Sequence, residues 1–342
     1  MSPKNLNASN KTHNFLLGKL KDKKIYQVYK KFEKGLNLNK DFIVAVSGGP
    51  DSLALSFLTK IYSIKKNISV KYVTVDHKLR NNSTKEAIFV KQLLKKISSN
   101  LRVLTWNGKK PKSNIQSIAR GNRYRLLTNE AKKLKINNIL LGHHKDDLIE
   151  NFFIRILRGS GLMGIISFDD KSSHKNINII RPLIQFSRID LKYIAKKVFE
   201  TYIEDPSNKN IEYKRVKIRN FIKNLELEGL DKDKFNLTIN NLKFANDSIK
   251  YFVKKNLKDN STIINENKSI ILRKNFFYQP EEIVFRSITE ILKVVGKKYY
   301  PVRGKKIVKL IDQIKNKDQF KTTLGNCLIK SINNTIIVSK ER

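Results

Sequence analysis

Apolar residues recur along the first half of this chain in two alternating patterns. Short runs rich in β-branched residues alternate with longer segments in which apolar residues return every three or four positions. The first pattern is typical of buried strands and the second of helices with one apolar face. The short runs predict strands at 42–46, 70–75, 102–106 and 139–141. Their alternation with helices predicts an α/β fold with a doubly wound, Rossmann-like parallel sheet.

The pattern changes after Pro182, where helical periodicity dominates. It predicts helices at 189–199, 213–225, 235–256, 281–295 and 304–314, a hairpin within 263–272 and small strands within 320–338. The α/β domain is therefore expected to be followed by a helical region and a small C-terminal α+β domain. The expected divisions are a polar N-terminal extension at 1–37, in which one short helix is possible, the α/β domain at 38–219, a mainly helical domain at 220–300 and the small domain at 301–342.

A tight turn joins the first predicted strand to its helix, with the sequence Ser47-Gly48-Gly49-Pro50-Asp51-Ser52. Two glycines let a ligand approach the backbone, and the following helix presents free N–H groups, which together suit a phosphate. Ser47 and Ser52 add hydroxyl donors. Asp51 places a carboxylate where an anion is expected, so Mg²⁺ shared with the phosphates is the simplest compensation. The alternative is a structural turn with a Ser or Asp helix cap.

Polar residues also follow the second and fourth predicted strands. Asp76 and His77 end the second strand, where they either cap a turn or contact a nucleotide at the carboxyl edge of the sheet. After the fourth strand, His143, Asp147 and Glu150 have the spacing of one helical face, with Asp146 beside them. Such a group can hold Mg²⁺, accept a proton or bind an ammonium group. The alternative is an acidic first turn favoured by the helix dipole.

Arginines cluster on two predicted helices. Arg120 and Arg123 share a face with Tyr124, and Arg215 shares a face with Arg219. Guanidinium groups can stabilise the charge of a reacting phosphate, and a solvated helix face is the competing interpretation.

The charge balance points to a polyanionic partner. The chain has 342 residues and a formal net charge of +40, which favours nucleic acid first and an anionic membrane second. A compositional bias towards lysine is the alternative explanation. The single cysteine, Cys327, excludes a disulfide framework and any Cys-x-x-Cys site. Without an apolar run long enough for a membrane span or a signal peptide, the protein is expected to be cytoplasmic.

Several motifs occur in a fixed order and carry a resemblance to a known family. They are the Ser47–Ser52 turn, Val-Asp-His-x-Leu-Arg at 75–80, Ala-Arg-x-x-Arg-Tyr at 119–124, Gly-His-His-x-Asp-Asp at 142–147, Arg-Gly-Ser-Gly-Leu at 158–162, Arg-Pro-Leu at 181–183 and Asp-Pro-Ser-Asn at 205–208. Together they resemble the tRNA(Ile)-lysidine synthetases, which are PP-loop ATP pyrophosphatases. The chain departs from that family's usual pattern at Asn151 and Asn326, where Thr and Gly are usual.

The resemblance implies an enzyme that uses ATP, Mg²⁺, L-lysine and tRNA(Ile) with a CAU anticodon, with neither DNA nor a membrane as partner. It implies that the C2 oxygen of the wobble cytidine is adenylated. The lysine ε-amine then displaces AMP to give lysidine, with pyrophosphate as the other product. The modified tRNA would read AUA instead of AUG. The helical domain at 220–300 would contact the tRNA.

The resemblance also implies roles for individual residues. Asp51, Asp147, Arg123 and Arg215 would be catalytic, with Asp51 also holding Mg²⁺. Lysine and the adenylate would be bound by His143, Asp146, Asp147 and Glu150. ATP would be bound by Ser47, Gly48, Gly49, Pro50, Asp51, Ser52, Asp76 and His77.

Two other functions compete with this interpretation. A PP-loop tRNA thiolase would need cysteines or an iron–sulfur cluster, and a lone Cys327 supplies neither. A nucleotide-dependent RNA-binding protein without catalysis would have no use for the acidic pair Asp146 and Asp147 beside a nucleotide loop.

Overall fold

The computed structural model of the chain describes residues 14–80, 82–108, 111, 113–174, 176–204, 214–264, 269–297, 302–317, 319–332 and 335–341. It divides into two compact units, Met1–Asn236 and Leu237–Arg342. The sequence placed a division at 219, so the observed boundary differs from it. The assignment of functions to the predicted domains stays a prediction.

The first unit is built on a six-stranded sheet with the order β3-β2-β1-β4-β6-β5. Neighbours among β1, β2, β3, β4 and β6 run parallel, and only β5 is antiparallel to its neighbour β6. The predicted doubly wound parallel sheet is therefore confirmed. The strands are β1 (Phe42–Ala45), β2 (Val70–Asp76), β3 (Leu101–Thr105), β4 (Asn138–Leu141), β5 (Lys171–His174) and β6 (Ile177–Ile180).

The β5–β6 hairpin is absent from the sequence prediction. Each of its strands has four residues, and β5 is polar throughout, so neither gives a clear hydrophobic period. β6 forms because Ile177 and Ile179 are buried in the apolar cluster beneath β4.

Helices cover both faces of this sheet. α2 is apolar on nearly every side because it packs between the sheet and α7, in one continuous core that also includes residues of α1. Helices of the first unit include α1 (Lys23–Gly35), α2 (Pro50–Lys66), α3 (Ser83–Lys95), α4 (Ile115–Lys133), α5 (Lys145–Ile156), α6 (Leu162–Ile165), α7 (Arg188–Phe199) and α8 (Lys214–Leu227). The next helix, α9 (Lys232–Asn260), begins in the first unit, and most of its residues belong to the second.

The segment predicted as a polar extension contains a helix of the core. Ile25, Tyr29 and Phe32 of α1 are buried, and the Phe32 ring meets Tyr62 of α2 edge-on at 6.2 Å. The Tyr62 hydroxyl donates to the carbonyl of Leu36, which fixes the end of α1. The many surface lysines of α1 made this segment look polar, although its apolar stripe has helical spacing.

The second unit contains an antiparallel sheet with the order β7-β8-β11-β10-β9, and α10 and α11 contribute to its core. The predicted hairpin and small C-terminal strands are thus present. Asn326 adopts a left-handed backbone (φ 64°), which asparagine tolerates. Asparagine in place of the glycine that is usual in the family therefore fits the backbone of this turn. The elements are β7 (Ser261–Ile264), β8 (Ser269–Leu272), α10 (Glu281–Val295), α11 (Gly304–Asn316), β9 (Lys321–Leu324), β10 (Cys327–Ile332) and β11 (Thr335–Lys340).

None of the helices formed by the described residues is both long and apolar enough to span a lipid bilayer.

Candidate active site

The turn between β1 and α2 has the form of an anion-binding loop. Gly49 caps α2, Pro50 begins it, and Gly48 has a left-handed backbone (φ +84°) that favours glycine. The Ser52 hydroxyl accepts from Ser47 N at 3.1 Å and donates to Gly49 O at 2.9 Å, so it closes the loop from within. The loop backbone is further held by Ile203 N, which donates to Gly48 O.

The turn after β4 lies directly against this loop. A Cβ on Gly142 would lie 3.1 Å from backbone atoms of Asp51 and Ser52, so a larger residue would push the two turns apart by a few tenths of an ångström. β1 and β4 are adjacent parallel strands, and their carboxyl ends therefore deliver the two motifs to one place.

His144 links the two acidic motifs. It is almost fully buried and caps α5, with Nδ1 accepting from Asp146 N at 3.2 Å. That bond places the ring proton on Nε2, which lies 3.7 Å from Asp51 Oδ2 and 3.6 Å from Asp147 Oδ2. Asp51 and Asp147 thus flank a single imidazole, and the structure brings together the two carboxylates predicted to be catalytic.

The two carboxylates differ in their electrostatic environment. Burial raises the pKa of Asp51, with a further contribution from the charge of Asp147. Burial would also raise the pKa of Asp147, but His144 and Arg215 outweigh it and lower that pKa to about 2. Asp147 is therefore ionised and a weak base. A cation beside Asp51 would stabilise the ionised form of that carboxyl.

Asp51 has an oxygen suited to a metal ion. Its Oδ1 is buried and has no hydrogen-bond partner among the described residues. The described residues contain no group of three or more His, Cys, Asp or Glu side chains arranged to hold a metal on their own. One carboxylate completed by substrate phosphates is the usual donor set for Mg²⁺, so the residues present fit that ion.

Glu150 lies at the centre of a buried ionic cluster with α8. It is 1% exposed, and its two oxygens accept from Arg215 Nε at 2.8 Å and from Arg219 Nε. Arg215 also donates through Nη2 to Asp147 Oδ1 at 2.9 Å. Arg215 and Arg219 are therefore not a plain solvated face. They tie α8 to the acidic face of α5.

The prediction that His143 shares the helical face of Asp147 and Glu150 is wrong. α5 begins at Lys145, and His144 before it is extended, so helical spacing does not reach back to His143. His143 instead packs edge-on against Phe168, with ring centroids 5.1 Å apart. Burial, together with the charges of Arg181, Arg123 and Arg120, lowers its pKa to about 3, although Asp147 opposes the shift.

The lowered pKa of His143 predicts an acid-sensitive stability. The unfolded chain protonates this imidazole below about pH 6.5, whereas the folded protein keeps it neutral down to about pH 3. Stability present above pH 6.5 is therefore expected to fall on acidification through this window, by at most about 1.4 kcal/mol per pH unit. His143→Phe should flatten the dependence in urea unfolding between pH 7 and pH 4.5. His174→Phe, which alters a ring packed against Tyr124, is the control, and equal slopes for His143→Phe and wild type would contradict the assignment.

A group of cations lies near Asp147. Arg123 on α4 is half-buried, and burial together with the charges of Arg120 and Arg215 lowers its pKa. Burial and the Arg123 charge likewise lower the pKa of His77. Like charges held this close are typical of a site that binds an anion. Arg120 also donates to the Tyr124 hydroxyl at 3.1 Å and lies over its ring.

Two predicted site residues have partners within the protein. Both oxygens of Asp76 are bonded within its own segment, to Lys78 N and to the Thr84 hydroxyl, as the turn-cap alternative expects. Asp146 faces Lys232 Nζ at 3.1 Å. The Asp-Pro-Ser-Asn motif at 205–208 lies outside the described residues.

Sequence reasoning missed two residues of the site. His144 could have been recognised as a helix cap, because it stands immediately before an acidic first turn. Arg188, the first residue of α7, faces Asp51 closely enough for its charge to lower the pKa of that carboxyl. No sequence signal marks Arg188, since its relation to Asp51 exists only through the packing of α7 on α2.

Comparison with known proteins identifies the class to which this fold and site belong. The model of the PP-loop domain family matches residues 20–226. The fold is also that of the tRNA thiolase NcsA from Methanococcus maripaludis, with a TM-score of 0.56, 16% identity, and 65% of this chain and 78% of that chain covered. The chain is therefore a PP-loop domain protein.

More similar relatives narrow the family. The tRNA(Ile)-lysidine synthase of Wolbachia pipientis wMel is 33% identical over 306 residues, covering 89% of this chain and 71% of the relative. That of Orientia tsutsugamushi is 33% identical over 316 residues, covering 89% and 70%. This chain belongs to the tRNA(Ile)-lysidine synthase family, and the resemblance inferred from its motifs is confirmed.

Proposed function

We propose that this protein converts the wobble cytidine of CAU-anticodon tRNA(Ile) into lysidine, consuming ATP and L-lysine. The family membership supports the reaction, and one structural observation supports its location. Asp51 of the phosphate loop and Asp147 of α5 flank His144 within 4 Å, so a nucleotide bound by the loop would lie beside the acidic helix.

In the first step, the C2 oxygen of the cytidine attacks the α-phosphorus of ATP. The bond to the bridging oxygen breaks, and its electron pair leaves with pyrophosphate. Negative charge spreads over the α-phosphate oxygens as this happens. Arg123 and Arg215 have the charge and position to stabilise it, since both guanidinium groups lie near Asp147. The ring oxygen is thereby converted into part of a good leaving group, AMP.

In the second step, the lysine ε-amine attacks C2 and AMP leaves. The amine must be neutral, although it is protonated near pH 7 in water. Asp147 and His143 are both weak bases here, with pKa values lowered to about 2 and about 3. We infer that Asp147 orients the ammonium and that the arginine group promotes loss of its proton to water, because nearby positive charge lowers the pKa of a bound amine.

The acidic residues of α5 would bind different groups. Both carboxylate oxygens of Glu150 are bonded to Arg215 and Arg219, so its role would be to hold these guanidinium groups in place and not to contact lysine. Asp146 binds the ammonium group of Lys232, and a contact of this kind would also suit a free lysine. Mg²⁺ held by Asp51 and the phosphates would neutralise charge on the pyrophosphate.

A direct assay tests the proposal. Purified protein is incubated with ATP, radiolabelled lysine and an unmodified CAU-anticodon tRNA(Ile) transcript, and label in the tRNA is counted. Label that depends on ATP supports the proposal, and a transcript with a different wobble base is the matched control. Stable tRNA binding without label would instead support the non-catalytic alternative. A thiolase is disfavoured because Cys327 is fully buried in the core of the second unit.

We further propose that one face of α9 binds the tRNA. Leu237, Phe244 and Tyr251 repeat every seven residues and are 60%, 69% and 64% exposed, so they form an uncovered apolar line, the α9 stripe. Five lysines and two aspartates accompany it between 237 and 260. In a chain of net charge +40, a second copy would bring like charge to this face, whereas tRNA brings phosphates and stackable bases.

Removing the two rings of the α9 stripe should weaken tRNA binding. Phe244→Ala with Tyr251→Ala is expected to raise the Kd for tRNA by at least about 30-fold, because each stacked base contributes roughly 1–3 kcal/mol and two rings are removed. Wild-type affinity should fall steeply with salt, and the double variant should keep the same salt slope, since it retains every lysine.

Tyr278→Ala removes an equally exposed ring elsewhere in the second unit and is the control. Filter binding at several salt concentrations measures all three proteins, and sedimentation reports their oligomeric state. Unchanged tRNA affinity in the double variant would exclude the α9 stripe as a tRNA surface. A change in oligomeric state alone would assign the stripe to a second copy.

A further inference from the structure

Three helices begin beside the phosphate loop, and the mechanism above uses only two of them. α2 and α5 meet through the contact of Gly142 with the backbone of Asp51. α7 joins them because Lys145 N, at the start of α5, donates to Phe186 O at 3.1 Å, two residues before α7 begins. α7 also packs along α2 in a shared core. Helix N-termini carry partial positive charge, so this junction favours an anion.

Arg188 is the first residue of α7 and stands at this junction. Its side chain is half-buried, and its Nε is buried with no hydrogen-bond partner among the described residues. It lies near Asp51, yet the two form no ion pair within 4 Å in the part of the chain that the structure describes. The Nε of this guanidinium has lost water without gaining a partner, which is costly, and an anion that accepts its N–H removes that cost.

The cations of the site fall into two sets. Arg123 lies near Arg120, Arg215 and Asp147, at the α5 end of the site. Arg188 lies near Asp51, at the loop end. Cleavage of a triphosphate is favoured by positive charge both at the phosphorus under attack and at the leaving group.

We propose that Arg188 binds the pyrophosphate portion of ATP and stabilises it as the leaving group. This inference rests on the proposed function. When the bond between the α-phosphorus and the bridging oxygen breaks, its electron pair remains on the pyrophosphate. A forked guanidinium can accept that charge bidentately, which a loop of backbone N–H groups and hydroxyls does less strongly.

Binding of inorganic pyrophosphate and of AMP to the full chain, measured separately by calorimetry in the presence of Mg²⁺, tests the inference. Arg188→Ala is expected to weaken pyrophosphate binding about 10- to 100-fold and to leave AMP binding unchanged. Arg188→Gln, which keeps much of the side-chain volume, should give the same selective loss if the alanine variant folds poorly. Lys196→Ala removes an exposed charge from the same helix and is the control.

Wild-type pyrophosphate affinity in both Arg188 variants would overturn the inference. Equal weakening of pyrophosphate and AMP, with a lower melting temperature, would also overturn it by assigning Arg188 a structural role. Binding is measured without turnover, so these outcomes are separate from the lysine-incorporation assay. A wild-type protein that incorporates no lysine but binds pyrophosphate through Arg188 would refute the proposed function and not the subsite.

Discussion

Asp51→Asn is expected to lower the rate of lysidine formation about 1,000-fold while leaving tRNA affinity unchanged. The substitution keeps the shape of the side chain and its place in the first turn of α2, but it removes the buried charge of Oδ1, which has no protein partner in the described chain. Without that charge, the cation shared with the phosphates is lost, and preorganised electrostatic groups of this kind typically contribute 100- to 1,000-fold or about 3–4 kcal/mol.

Single-turnover formation of lysidine at a series of Mg²⁺ concentrations measures the effect. The variant should need more Mg²⁺ for its half-maximal rate, and filter binding should give a wild-type Kd for tRNA. Asp312→Asn removes an exposed carboxylate from α11 and serves as the control. Near-normal turnover with an unchanged Mg²⁺ requirement would show that Asp51 holds no metal.

Arg123→Ala is expected to be the second most damaging change, with a loss of about 1,000-fold or more in the adenylation step. Arginines that stabilise phosphoryl transfer contribute on this scale. The same variant should be at least as stable as wild type, because burial and neighbouring positive charge lower the pKa of Arg123 and so disfavour its charged form in the folded state. Pyrophosphate release in a single turnover measures the first effect, and thermal unfolding measures the second.

Two further arginine variants serve as comparisons for Arg123→Ala. Arg125→Ala alters an exposed arginine on the same helix, which donates a hydrogen bond to Asn122, and should be nearly silent. Arg215→Ala should lose both activity and stability, since it breaks ion pairs to Asp147 and to the buried Glu150. An active, destabilised Arg123→Ala protein would make Arg123 structural.

The conformation of the phosphate loop could be predicted from local sequence. Gly48, Gly49 and Pro50 specify the turn by their own backbone preferences, and the strand and helix around them follow from apolar spacing. Local sequence did not predict that His143 lies outside α5, because the start of the helix depends on the extended backbone of one residue, His144.

The partners of the acidic residues could not be derived in the same way. Glu150 and Arg215 are far apart in sequence, and each alone has the composition of a solvated helix face. Their buried pairing arises because α8 packs against α5, where apolar side chains such as Ile149, Ile218 and Ile222 meet. Arg188 was invisible for the same reason.

By itself, the sequence determined the alternating strands and helices, the phosphate loop, the family and the identity of the main acidic and basic groups, because each depends on residues close together in the chain. Only the tertiary structure decided which charges face one another. Asp51, His144 and Asp147 meet because adjacent parallel strands end side by side, and burial then sets their electrostatics. The long-range packing of helices on that edge separates the residues that would hold lysine from those that would hold pyrophosphate.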